Sequence, residues 1–295
     1  MKVLLAIDSS VASQSVICEA ATRPWPPGTR FCVLHVVDIR GAGRFSPIIE
    51  EQKKSGQALV AQVAEKLARV GRETSTEVLI GFPRKTVVQY AKEWGADFVM
   101  AGSHGQGPVA RFLLGSVAQA VLRTAPCSVE IVRRNASELR PSGHAMKILL
   151  ATDGSESAVA AAKSVANRPW PAGSQIKIVS AIELLAPGNE MAAWSPASVY
   201  PASLLEEVWN DARTRANEAV AESRKTLEAA GMNIAKESVM PEGDPRYVLL
   251  SQAKEWGADL IVLGSHGWHG IDRMLMGSVS ESVALHAQCS VEVIR

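Results

Sequence analysis

Two stretches of this chain have the residue types and the spacing to hold a phosphate. Gly102-Ser103-His104-Gly105 is followed, after nine residues, by Gly115-Ser116; Gly264-Ser265-His266-Gly267 is followed, after nine residues, by Gly277-Ser278. The shared pattern is G-x2-G-x9-G-S. A glycine-rich turn brings backbone N–H groups close to an anion with no Cβ in the way. A helix starting at the final Gly-Ser would add unpaired N–H donors and the positive end of its dipole. The hydroxyls of Ser116 and Ser278 can donate to a terminal phosphate or ligate a metal. Arg111 and Arg273 occupy matching places in the two spacers and are candidate phosphate partners. Asp8 and Asp153 each close a short apolar run, and a carboxylate there suits a sugar hydroxyl. The same residues, in Asp8-Ser9-Ser10 and Asp153-Gly154-Ser155, also read as helix caps.

Other chemistries fit less well. No G-x4-G-K-[ST] occurs. The run Gly105-Gln106-Gly107-Pro108-Val109-Ala110 fits G-x-G-x-x-A, but it follows a fourth strand rather than a first, and the second stretch lacks it. His104 and His266 have no third group to orient them as general bases, so local hydrogen bonding or phosphate contact is the expected role. The four cysteines form no CxxC pair, which weakens zinc and dithiol readings and suits a reducing, cytoplasmic setting.

The elements that position these residues come in two sets, because the chain repeats itself. Lys2–Ser10 (KVLLAIDSS) returns as Lys147–Ser155 (KILLATDGS), and Arg23-Pro24-Trp25-Pro26 as Arg168-Pro169-Trp170-Pro171. Residues 81–133 match 243–295 at 26 of 53 positions, which chance does not produce. The expected units are 1–134 and 146–295, with a polar linker over 135–145. The second copy is longer by 17 residues, which places an insertion near 187–201. Each copy alternates apolar strand-like runs with amphipathic stretches. The first has strands near 3–7, 31–37, 76–80, 97–101 and 127–132, and helices from about Ser10 to Thr22, through Leu59, Val63 and Leu67, from Pro83 to Trp94, and over 109–123. Strict alternation predicts an α/β fold: a mainly parallel sheet in each copy with helices on both faces.

Composition bounds the function classes. The 295 residues carry 31 Lys and Arg against 30 Asp and Glu, a formal charge of +1, so no electrostatic case exists for nucleic acid or an anionic membrane. No apolar run approaches the ~20 residues of a membrane span. The start is too short and too soon acidic for a signal peptide. A cytoplasmic protein is expected.

Both copies resemble the universal stress protein family, in its ATP-binding branch. The resemblance rests on the acidic residue after the first strand, on Leu34-His35-Val36, on the complete glycine pattern, and on the tails Ala125-Pro126-Cys127-Ser128-Val129 and Ala287-Gln288-Cys289-Ser290-Val291. It implies two tandem open five-stranded parallel sheets of order 3-2-1-4-5, Rossmann-like, with ATP at the strand ends. It implies backbone contacts to adenine from Val36 and Ala181, and ribose contacts from Asp8 and Asp153. The phosphates would meet Gly102, Ser103, His104, Gly105, Gly115 and Ser116, with Gly264, Ser265, His266, Gly267, Gly277 and Ser278 in the second copy. Magnesium would sit on the phosphates with Ser116 and Ser278. Two positions depart from the pattern: Gln106 and Trp268 stand where many members carry a basic residue, and Ser180 replaces His35.

The expected function is an ATP-binding stress or signalling module with one nucleotide per copy. A slow ATPase or nucleotidyl-transfer enzyme of related architecture and a nucleotide-free scaffold are the alternatives. In the implied strand order each fifth strand is an apolar edge, and the two edges are expected to meet antiparallel about a pseudo-two-fold axis. Glu130 and Glu292 would then lie near the axis, solvated or paired with Arg133 and Arg295. Association of whole chains into a homodimer is left open.

Overall fold

The computed structural model describes residues 1–40, 46–104, 114–133, 143–182, 202–235, 242–267 and 276–295. The first half runs β1 (Lys2–Ile7), α1 (Val11–Thr22), β2 (Arg30–Asp38), α2 (Ser46–Arg69), β3 (Glu73–Gly81), α3 (Pro83–Trp94), β4 (Phe98–Gly102), α4 (Ser116–Thr124) and β5 (Ser128–Val132). The second half runs β6 (Lys147–Ala151), α5 (Glu156–Ala166), β7 (Gln175–Val179), α6 (Ala202–Ala229), α7 (Pro245–Trp256), β8 (Leu260–Gly264), α8 (Ser278–His286) and β9 (Ser290–Ile294). Local chemistry sets the helix ends. Ser10 and Ser155 cap α1 and α5 by accepting from Ser13 N and Ala158 N. Pro83 and Pro245 open α3 and α7, and Gly95 and Gly257 close them in the left-handed conformation.

The expectation of two separate sheets is corrected here. The strands form one nine-stranded sheet, β3-β2-β1-β4-β5-β9-β8-β6-β7. All pairings are parallel except β5 with β9, which pair antiparallel through Val129↔Val293, Glu130↔Glu292 and Ile131↔Val291. Two apolar edges are thereby paired, and the fusion follows directly. Where a third strand of the second half is expected, two parallel bridges are described, Ile176↔Ile234 and Ile182↔Glu242. Most of the expected linker and all of the expected insertion lie outside the described residues, as do Gly105, Arg111 and Arg273.

The two faces of the sheet are built differently at the seam. On one face, under α3, α4, α7 and α8, a single apolar cluster runs across both halves, from Leu4 and Val99 through Val129 and Ile131 to Val291, Val293 and Leu149. On the other face, the cluster under α1 and α2 and the cluster under α5 and α6 are separate. Between them lie Glu130 and Glu292, both fully buried. Their partners are not Arg133 and Arg295. Arg23, just after α1, reaches Glu130 at 2.7 Å, and Arg168, just after α5, reaches Glu292 at 2.6 Å. Glu19 adds a third carboxylate 3.7 Å from Arg23. Three carboxylates thus face two guanidiniums, and burial pushes the Glu130 carboxyl above its ordinary range. Arg23 also lies over Trp25 and, across the seam, over Trp170, while Arg168 lies over Trp170 and Phe98.

Arg133 and Arg295 do other work. Arg133 Nη2 donates to the carbonyls of Ala284 and Leu285 at the end of α8 (2.6 and 2.8 Å). Arg295 Nη2 donates to Leu122 O at 2.7 Å and Nη1 to Ala125 O, at the end of α4. Each half closes the helix of the other. One seam contact has no twin: Arg123 of α4 pairs with Glu281 of α8 at 2.6 Å, and the matching positions hold Leu285 and Gln119.

Candidate nucleotide site

The described candidate residues gather where the strand order reverses, at the carboxyl ends of β1 and β4 and again of β6 and β8. In an open α/β sheet this is where the crevice forms. In the first half, Asp8 Oδ1 accepts from Ser10 N (3.0 Å), from Ser13 Oγ (2.8 Å) and from Ser10 Oγ. In the second, Asp153 Oδ1 accepts from Ser155 N (3.0 Å) and Ser155 Oγ (2.6 Å). These bonds to each carboxylate enter through Oδ1 and tie it to the serine that caps the following helix. Asp153 Oδ2 lies 2.7 Å from the place a Cβ on Gly267 would take, so the carboxylate faces the glycine turn.

The two loops are stapled together in both halves. Ser10 Oγ is 3.3 Å from His104 O, and Ser155 Oγ is 3.3 Å from His266 O. Ser157 adds a second staple in the second half, accepting from His266 N at 3.3 Å and donating to its carbonyl. Gly102 and Gly264 are required by this approach. A Cβ on Gly102 would stand 2.7 Å from Ala12 Cβ and 2.9 Å from Ala12 C; one on Gly264 would stand 2.6 Å from Ser157 C and 2.8 Å from Ala158 N. Their absent side chains make room for helices α1 and α5.

The rest of the turn is held by main-chain bonds. Ser103 N donates to Val132 O (3.1 Å) and Ser265 N to Ile294 O (2.8 Å), which ties each turn to the end of its seam strand. Gly115 N donates to Ser103 O (2.7 Å) and Gly277 N to Ser265 O (2.8 Å), folding each Gly-Ser back beside its turn. Gly115 and Gly277 are the caps of α4 and α8 and have no side chain to satisfy the first-turn N–H groups. Those donors are placed for an anion. Ser116 and Ser278 follow, exposed, at the helix starts. The histidines bond locally: Ser103 Oγ to His104 Nδ1 at 2.9 Å, Ser265 Oγ to His266 Nδ1 at 2.8 Å. His266 Nε2 is buried with no hydrogen-bond partner among the described residues. In the tautomer in which Ser265 donates to Nδ1, Nε2 carries the proton.

Val36 is the first β2 residue past the β1 ladder, which ends at Ile7↔His35, and Ala181 lies beyond the β6–β7 ladder, which ends at Ala151↔Val179. Both are at the carboxyl edge. Among the described residues no group of three or more His, Cys, Asp or Glu could hold a metal ion. Ser13 and Ser157 were missed in the sequence reading. The D-x-S cap pattern signals Ser10 and Ser155, but nothing in it tells which neighbour reaches across.

The sequence model of the universal stress protein family matches residues 1–133 and again 145–295. This chain belongs to that family. A universal stress protein of Mycobacterium tuberculosis is 30% identical over 99% of this chain and 96% of its own length. One from Mycolicibacterium smegmatis is 25% identical over the same shares. The crystal structure of a universal stress protein from Archaeoglobus fulgidus covers 100% of this chain and 96% of its own, with a TM-score of 0.65 at 22% identity, a likeness of fold. The relatives span both halves, so this universal stress protein is matched along its length as a duplicated chain. Among its described residues no helix is long and apolar enough to cross a membrane.

Proposed function

We propose that this universal stress protein binds ATP, one nucleotide in each of the units 1–134 and 146–295, and acts as a nucleotide-dependent regulatory module in a cytoplasmic stress response. The observation that carries the reading is the meeting of Asp153 Oδ2 with the Gly267 turn beside the uncapped start of α8. A carboxylate for ribose hydroxyls and a row of N–H donors for phosphates then border one crevice. In this reading Asp8 and Asp153 hold the ribose and the main chain at Val36 and Ala181 meets adenine. The phosphates lie on Gly105, Gly115, Ser116, Gly267, Gly277 and Ser278, with Arg111 and Arg273 as further partners and magnesium on Ser116 and Ser278. His266 Nε2 supplies one more donor. A helix N-terminus gives ~0.3–1 kcal/mol per charge, up to ~2 when partly buried. Micromolar affinity needs about −8 kcal/mol, so several such contacts must act together. Mass spectrometry of nucleotide retained by natively purified protein, followed by calorimetry with ATP, tests the reading. The expected result is two bound nucleotides, lost in the Gly115→Ala/Gly277→Ala double variant. No heat of binding at high micromolar protein would overturn it.

A further inference from the structure

The two candidate sites open at opposite ends of the sheet, because β5 and β9 pair antiparallel. They are nonetheless joined by an unbroken set of contacts. In the first half, Ser103 N of the glycine turn is held by Val132 O, the last residue of β5. The next residue, Arg133, carries its guanidinium across the seam to Ala284 O and Leu285 O, the carboxyl end of α8. Its own N–H donates to Ser290 Oγ of β9 at 3.2 Å. The amino end of α8 is Gly277-Ser278, and Gly277 N is held by Ser265 O of the second turn. The reverse path has the same parts. Ser265 N is held by Ile294 O, and Arg295 follows. Its guanidinium grips Leu122 O and Ala125 O at the end of α4, and Gly115-Ser116 begins that helix. Its own N–H donates to Ser128 Oγ at 3.3 Å.

We infer that Arg133 and Arg295 are crossed positioning residues: each holds the phosphate-binding helix of the opposite half, and through it couples the two sites. A nine-residue helix is a rigid rod of about 13 Å at ~1.5 Å per residue. Holding its last carbonyls sets where its first N–H groups stand. Each guanidinium ties down two carbonyls, Arg133 through Nη2 alone and Arg295 through Nη1 and Nη2 together, so the helix end is held at two points. The cation also complements the negative end of the helix dipole. Movement of one turn on ligand binding displaces Val132 or Ile294, and with it the arginine that holds the other turn's helix. Coupling between sites is reciprocal by linkage, so ATP at either site changes affinity at the other by the same factor.

The functional half of this inference rests on the nucleotide reading above; the positioning half does not, and amide exchange of the full chain without ligand tests it. The Gly115 and Gln119 amides report the start of α4, and the Gly277 and Glu281 amides the start of α8, since all four are hydrogen-bonded there. Arg295→Gln is expected to speed exchange at Gly115 and Gln119 at least about fivefold more than at Gly277 and Glu281, and Arg133→Gln to do the reverse. A merely structural loss would speed both ends alike. Arg295→Lys and Arg133→Lys, which keep the charge, are expected to show the same crossed pattern at smaller amplitude, and they serve if the glutamine variants do not fold. Equal acceleration in both halves, or acceleration in the half that carries the substitution, would overturn the inference. ATP titration then separates the two claims. Crossed weakening of binding supports both. A crossed exchange pattern in a wild-type protein that takes up no ATP sinks the nucleotide reading and keeps the positioning role. ATP binding without any crossed pattern does the opposite.

Discussion

The two halves share the skeleton of the turn and differ in what stands behind it. Common to both are the serine staple between loops, the close-approach glycine, the Gly-Ser cap bonded back to the turn, and the crossed arginine. The differences lie one residue away. Ser13 holds Asp8 in the first half, and Ala158 occupies its place in the second. Ala12 packs on Gly102, whereas Ser157 bonds His266. His35 Nδ1 donates to Ile7 O at 3.0 Å, and the ring fills the space over Gly56. A shift of 160 residues, which aligns Leu67 and Gly71 at the end of α2 with Leu227 and Gly231 at the end of α6, puts Ala216 opposite Gly56. With Ser180 in place of His35, the second half is small where the first is large. Main-chain geometry at the turn is thus kept twice, while the side chains around it differ in volume.

The largest expected effect tests the ionic side of the seam. Arg23 faces two carboxylates and Arg168 one. Removing one partner of a buried pair costs about 3–5 kcal/mol, so Arg23→Ala is expected to destabilise by that amount and Arg168→Ala by less, as read by denaturant unfolding. Glu130 gives the sign of the pH effect. Its carboxyl is raised by burial, so its contribution to stability is complete below the ordinary carboxylate range and is lost as pH rises through the raised value. Melting temperature should therefore fall as pH rises through that raised value, and Glu130→Gln should flatten the slope. A slope unchanged in the variant would remove Glu130 from the account.

A middle-sized effect sharpens the close approach of loop and helix. Gly264→Ala and Gly102→Ala each force backbone apart, at about 1–3 kcal/mol for overpacking. The second-half change is expected to cost more, because its contacts are shorter. Equal melting shifts would mean that the two turns relax alike. The smallest expected effect concerns the contact of His35 with Gly56. Gly56→Ala puts a Cβ 2.6 Å from His35 Cδ2 and should destabilise by about 1 kcal/mol, despite alanine's better helix propensity. Adding His35→Ser gives the first half the second half's pairing and should recover most of the loss. If it recovers none, the volume trade is not the reason for the difference.

Much of this was legible in the residues. The strand and helix order, the cap serines and the glycine turn follow from local pattern and from the duplication, and the antiparallel meeting of β5 and β9 follows from the strand order that the family resemblance implies. The partners of Glu130 were not read correctly, although one rule pointed the right way. Arg133 lies three residues along from Glu130, an odd step in a strand, and so faces the other side of the sheet. The partner, Arg23, comes from 107 residues away and becomes visible only once α1 is laid on the sheet. The same limit hid Ser157, whose reach to His266 depends on how closely α5 approaches β8. Within the candidate site, Asp8, Asp153 and the two Gly-Ser caps could be placed beforehand because each ends or begins an element.

The unpaired Arg123–Glu281 contact has a consequence for how such a protein can change. In an assembly of two identical chains, any substitution at the axis is written twice, once on each side, and must be tolerated facing its own copy. Joining the copies in one chain lifts that rule. Leu285 and Gln119 occupy the mirror places and make no such pair, so the interface already carries an innovation on one side alone. Each half can therefore change at the seam without the same change appearing on the other side.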